Sequence, residues 1–133
     1  MKKALFVMVL LTVSMITACG GNLNTANSLD TIPAEYVGKT NPLGADAALA
    51  GAEVFKTNCA TCHGDTGHGD GAAGVGLDPA PKNLAELQSQ VGDDYLFWRI
   101  STGKDGTSMV SWKGALTEEQ IWQVISFLHT LQR

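Results

Sequence analysis

Thirteen consecutive residues, CATCHGDTGHGDG from Cys59 to Gly71, hold two of the chain's three cysteines, two of its three histidines and four of its fifteen glycines. That crowding leaves few chemistries open. As a phosphate loop, Gly69-Asp70-Gly71-Ala72-Ala73-Gly74 fits G-x-G-x-x-G, but no strand pattern precedes it and no βαβ context surrounds it. As a zinc site, Cys59, Cys62, His63 and His68 supply four donors. Consecutive Cys62 and His63 are awkward to wrap around one tetrahedral ion, however, and a second knuckle is missing. As a redox disulfide, Cys-x-x-Cys would suit a thioredoxin-like site, yet the expected sheet is absent. The fourth option is covalent haem attachment through Cys-x-x-Cys-His. Two sulfurs three residues apart reach the two vinyl groups, and the adjacent His63 comes under the iron as an axial ligand.

The N-terminus is read separately from the fold. Lys2 and Lys3 precede an apolar run from Ala4 to Ile16, short for a membrane span and of the right length for a signal-peptide core. It ends in Ile16-Thr17-Ala18-Cys19, which resembles the lipobox of bacterial lipoproteins. The expectation is a signal peptide over 1–18 and lipidation at Cys19; an uncleaved anchor or a plain secretory signal are the alternatives. Loss of Lys2 and Lys3 takes the net charge from −4 to −6, and loss of Met1, Met8 and Met15 leaves Met109 as the one methionine. Residues 20–45 are rich in Asn, Thr, Gly and Pro without sustained periodicity, so 19–45 is expected to be a lipidated cysteine and flexible tether. The alternative has part of the stretch packed on the domain through Tyr36 and Val37.

From Asp46 onward the pattern is all-α. Helices are expected over Asp46 to Asn58, over Lys82 to Gln90, and from a cap at Asp93 or Asp94 through Ile100, stopped by Gly103. The last helix is the clearest. Thr117 is its N-cap, Gln120 completes a capping box, and Leu116 is placed to staple onto Ile121. Ile121, Val124, Ile125, Leu128 and Leu131 form its apolar stripe. The loops between bury little, so a domain of this size needs a large apolar body at its centre.

With these residues in place, the segment 46–133 resembles the class I cytochrome c family. Gly51 and Phe55, before the Cys-x-x-Cys-His motif, match the glycine and aromatic that let the family's first helix cross the last closely, and Phe127 matches the aromatic that meets them. Pro79 matches the loop proline whose carbonyl accepts the hydrogen bond of the axial histidine in the family; Pro81 is a second candidate. Thr107-Ser108-Met109-Val110-Ser111-Trp112-Lys113-Gly114 is similar to the distal methionine loop. Here, though, Ser108 and Val110 stand where a proline often flanks the methionine. The resemblance implies a small class I cytochrome c fold of helices around one covalent haem c.

Met109 is also an axial candidate without the family. It sits in a glycine-flanked loop before the capped last helix, with no apolar stripe to join. His68 lies only five residues from His63, and His129 sits at the border of the last helix's apolar stripe, where solvation is expected. Trp98, Arg99 and Trp112 are expected either at the haem and its propionates or, alternatively, in simple packing and solvent. Histidine and thioether together favour ferrous iron and leave no vacancy for a substrate, so the expectation is a one-electron carrier and not an enzyme. The alternative is a haem enzyme or gas sensor with a displaceable distal ligand. Acidic net charge suits docking to basic or neutral surfaces and disfavours nucleic acid. The expected partners are membrane redox proteins: a quinol-oxidising complex upstream and a terminal oxidase or reductase downstream. The chain would act as a tethered shuttle or a subunit of a larger complex. The expected location is outside the cytoplasm, lipid-anchored, with the haem domain on the periplasmic or extracellular side.

Overall fold

The structure is a computed structural model and describes residues 29–132. The expected signal peptide over 1–18, Cys19 and residues 20–28 of the expected tether lie outside the described residues. A 3₁₀ turn, Ala45–Ala47, leads into α1 (Ala48–Asn58); α2 (Ala60–His63), α3 (Leu84–Leu87), α4 (Asp93–Thr102) and α5 (Glu118–Leu128) follow. Among the described residues there is no β-strand, only one isolated bridge between Lys113 and Leu116. None of the described helices is long and apolar enough to cross a membrane.

The organising contact is α1 against α5. A Cβ on Gly51 would land on the carbonyl of Gln123 and within 3.0 Å of the Phe127 Cβ, so only glycine permits this approach. Beside it Phe55, 1 % exposed, meets Phe127 with ring centroids 5.1 Å apart. The α5 stripe buries Ile121, Val124, Ile125 and Leu128, and Leu131 packs against the same cluster. Its capping box is complete: Thr117 Oγ1 accepts from Gln120 N, and Gln120 Oε1 accepts from Thr117 N. Trp122, which the stripe did not include, is buried and stacks on Phe97 of α4 at 4.2 Å.

The α4 cap differs from expectation. Gly92 is the N-cap, without a side-chain bond, and Asp93 and Asp94 lie in the first turn. There their charge complements the helix N-terminus, while their oxygens accept bonds from further upstream in the chain. Asp94 Oδ2 accepts from Gly38 N at 3.0 Å, and Asp93 Oδ2 from Asn41 N at 2.9 Å.

Those bonds correct the tether boundary at residue 45. The compact unit begins at Thr31, not at Asp46. Tyr36 lies against Phe97 with ring centroids 6.2 Å apart, and Lys39 Nζ stands 5.5 Å from the same ring. Asn41 Nδ2 donates to Trp122 O at 3.0 Å and to Ser126 Oγ at 2.9 Å, and Asn41 Oδ1 accepts from Leu43 N. Residues 36–43 thus form a strap over α4 and α5. Of the two contacts foreseen for a packed segment, Tyr36 is made and Val37 is exposed. Asn41 has no periodicity to announce it, because it works through hydrogen bonds and not through an apolar face.

Candidate haem site

The first helix continues through Cys59 into the single turn of α2, with Cys59 N donating to Phe55 O and His63 N to Cys59 O. Helical i, i+3 spacing puts Cys59 and Cys62 on one side of that turn. Both thiols are free and half-buried. The glycine loop then folds back over α2: Gly69 N donates to His63 O, Gly71 N to Cys62 O and Ala73 N to Thr61 O, satisfying carbonyls a helix end would leave open.

His63 Nδ1 lies 3.2 Å from the carbonyl oxygen of Lys82. This corrects the assignment of that acceptor to Pro79 or Pro81. Pro79 is exposed, and the chain turns so that the Lys82 carbonyl arrives one residue beyond Pro81. With Nδ1 donating there, Nε2 is the nitrogen left to bind a metal. Burial lowers the His63 pKa from its ordinary value and the Lys82 carbonyl opposes this in part, so the ring is neutral at neutral pH, the form that ligates. Burial first, and then the neighbouring Cys62, push the Cys59 thiol up to about 12. A redox-active pair needs a thiolate, so this environment disfavours the thioredoxin-like option. Zinc fares no better, since among the described residues no three His, Cys, Asp or Glu side chains come together as a metal site. His68 instead faces Thr66 Oγ1 at 2.8 Å and is exposed.

The Met109 loop is fixed to the C-terminal end of α4. Gly103 ends that helix at φ +71°, and a Cβ there would meet Met109 O at 2.5 Å and Val110 C at 2.6 Å. Lys104 N donates to Met109 O at 2.9 Å, and Met109 N donates to Thr107 Oγ1 at 3.1 Å. Further along, Trp112 N bonds to Ile100 O and Lys113 N to Ser101 O. Met109 is half-buried and Trp112 packs against the core.

Arg99 sits with its guanidinium 4.0 Å from the Trp98 ring and 5.7 Å from that of Tyr95, and its Nη1 donates to Gly103 O at 2.8 Å. Trp98 meets Tyr95 edge-on at 5.7 Å. His129 is exposed, as expected, with Nε2 2.7 Å from Asp93 Oδ1. Sequence reasoning missed Lys82, which acts through its backbone, and Thr107, whose hydroxyl addresses the amide of Met109.

Two unbridged thiols on one helical turn, a neutral imidazole with Nε2 to spare and a loop-held thioether are a donor set that fits an iron porphyrin. Together with α1 crossing α5 at Gly51, they define an all-α class I cytochrome c. Residues 46–128 match the family "Cytochrome C oxidase, cbb3-type, subunit III", and the chain belongs to it. Its cofactor is covalently bound haem c. It is 34 % identical over 100 residues to the cbb3-type cytochrome c oxidase subunit FixPc of Rhizobium leguminosarum bv. viciae, covering 74 % of this chain and 33 % of that protein. To the subunit CcoP of an Azospirillum species it is 33 % identical over 111 residues, covering 80 % of this chain and 36 % of the relative. Thus it spans about a third of the length of these oxidase subunits. It is also 33 % identical to cytochrome c6 of Thermosynechococcus vestitus over 86 residues, 65 % of this chain and 70 % of that one. A chain of the Kuenenia stuttgartiensis reducing HAO-like protein complex shares the fold, with a TM-score of 0.58 at 24 % identity over 69 % of this chain and 47 % of that one.

Proposed function

We propose that Cys59 and Cys62 hold the haem through thioethers, that His63 Nε2 and Met109 Sδ take its axial positions, and that the chain relays single electrons between membrane redox proteins. The observation that carries this reading is His63: its Nδ1 is held by the Lys82 carbonyl while two unbridged thiols flank it on the same turn. When bound, the haem supplies one iron that cycles between the ferrous and ferric states. The chain's own residues do the rest. His63 is kept neutral and in one orientation, Met109 is held at both its amide and its carbonyl, and neither ligand needs to move when the charge changes. Trp98, Arg99 and Trp112 would stand at the haem or its propionates; in the fold Arg99 lies over Trp98 and bonds to the Gly103 carbonyl, and Trp112 packs against the core.

The names of the oxidase subunits among its relatives support a terminal oxidase as one neighbour, and we infer a quinol-oxidising complex or a reductase as the other. Cys19 would anchor the domain outside the cytoplasm, and any spacer to the membrane then ends at Thr31, where the packed unit begins. Cys19→Ser is expected to move the protein from the membrane to the soluble fraction with its haem spectrum unchanged; retention on the membrane would point instead to a partner complex or an uncleaved anchor.

Met109→Ala tests the carrier itself. Its iron is expected to turn high-spin or accept water, to bind carbon monoxide readily when reduced, and to have a lower potential. Met109→His should also lower the potential but keep the iron low-spin. Carbon monoxide binding to the unmutated protein would instead favour a gas sensor or haem enzyme with a displaceable ligand.

A further inference from the structure

The methionine loop lacks the flanking proline that would stiffen it, with Ser108 and Val110 in its place. Hydrogen bonds close it instead. The Thr107 hydroxyl accepts from Met109 N at 3.1 Å and donates to Lys104 O at 2.8 Å, while Lys104 N donates to Met109 O at 2.9 Å and Thr107 N to Lys104 O at 3.2 Å. Residues 104–109 are therefore a closed ring in which one side-chain hydroxyl links the two ends. A second hydroxyl, Ser111 Oγ, donates to Ser101 O at 2.6 Å and pins the exit of the loop to the last turn of α4.

We infer that Thr107 is a positioning residue for the axial methionine, with Ser111 as its support, and that these two hydroxyls supply the rigidity a proline would otherwise give. This rests on Met109 being the sixth ligand. A thioether is a weak, neutral ligand, so its hold on iron depends on how little freedom the loop has when the bond opens. Fixing both the amide and the carbonyl of Met109 removes that freedom, and releasing the amide restores it. An external ligand competes only for the open fraction, so its apparent affinity reports that fraction directly.

The experiment uses the haem-loaded full chain and cyanide as the probe of the ferric iron. Thr107→Val keeps the shape of the side chain and removes the hydroxyl. It is expected to weaken the far-red charge-transfer band of the thioether-bound ferric iron and to tighten cyanide binding about five- to tenfold, the worth of one or two net hydrogen bonds. Thr107→Ser, which restores the hydroxyl, should return both readouts to the starting values. Ser111→Ala should move them in the same direction by less. A Thr107→Val protein with the band and cyanide affinity of the parent would overturn the inference, as would one that only melts earlier. Met109→Ala serves as the reference: loss of the band there, with no change in Thr107→Val, rejects the role of Thr107 alone. A band that persists in Met109→Ala rejects the ligand assignment beneath it.

Discussion

A histidine that presents one ring nitrogen to a metal needs the other held, and here the holder is a backbone carbonyl. The Lys82 side chain is exposed and plays no part in the bond, so Lys82→Ala should leave the spectrum and potential unchanged and shift stability by less than about 0.5 kcal/mol. Gly69→Ala is the informative change. Gly69 has φ +84°, and a Cβ there would meet Pro81 O at 2.5 Å and Lys82 O at 3.3 Å, forcing both carbonyls away. Losing the acceptor on Nδ1 makes His63 a poorer electron donor. The ferric state then loses more than the ferrous, so a redox titration of Gly69→Ala should give a higher potential, and an unchanged one would reject the role given to Lys82. The residue types proposed to hold the haem could be picked out at residues 59–63 because their spacing carries the chemistry. The acceptor could not: Pro79, Pro81 and Lys82 lie within four positions, and which carbonyl faces the ring depends on how the chain turns between them. Thr107 was hidden for a similar reason, since a threonine two residues before a methionine is unremarkable until its hydroxyl is seen on the methionine's amide.

At the scale of elements the same contrast separates α5 from α4. The last helix announces both its start and its buried face, through Thr117, Gln120 and the spacing of Ile121, Val124, Ile125 and Leu128, and the structure keeps all of them. In α4 the two aspartates looked like capping residues, but their carboxylates serve Gly38 and Asn41, residues more than fifty positions away in sequence. Local pattern cannot show such a partner. The α1–α5 crossing was readable because it demands a residue with no side chain at one point. Gly51→Ala should therefore force the helices apart or shift Phe127, costing about 1–3 kcal/mol as overpacking does. A melting temperature lower by roughly 5–15 °C is expected from thermal unfolding, with the axial ligation, read from the spectrum at low temperature, intact. A variant as stable as the parent would mean that the crossing tolerates a methyl group and that Gly51 is not what sets it.

On the scale of the whole molecule, the part that sequence reading misjudged is the strap. Its composition is that of a linker, and only Tyr36, Lys39, Asn41 and Leu43 are turned toward the fold, too few and too irregular for any periodic signal. Nor does it fall within residues 46–128, where the family match lies. Its hold is concentrated in Asn41, whose side chain bridges the Trp122 carbonyl, the Ser126 hydroxyl and the Leu43 amide, while its own amide bonds to Asp93. The same Asp93 side chain also meets His129, the C-cap of α5, so the strap, the start of α4 and the end of α5 share one carboxyl group. Asn41→Ala deletes three side-chain hydrogen bonds and leaves the buried Ser126 hydroxyl short of a donor. A loss of about 1–3 kcal/mol follows. Because the strap lies over α4 and α5 rather than between them, this loss should appear as local opening before global unfolding. In hydrogen exchange, the amides of Gly38, Asn41 and Leu43 should lose protection while that of Ile125, inside α5, keeps it, and the haem spectrum should not change. Equal loss of protection in Ile125 would show that the strap and the α1–α5 core open as one unit, and fast exchange of Asn41 in the parent protein would show that the strap is not held at all.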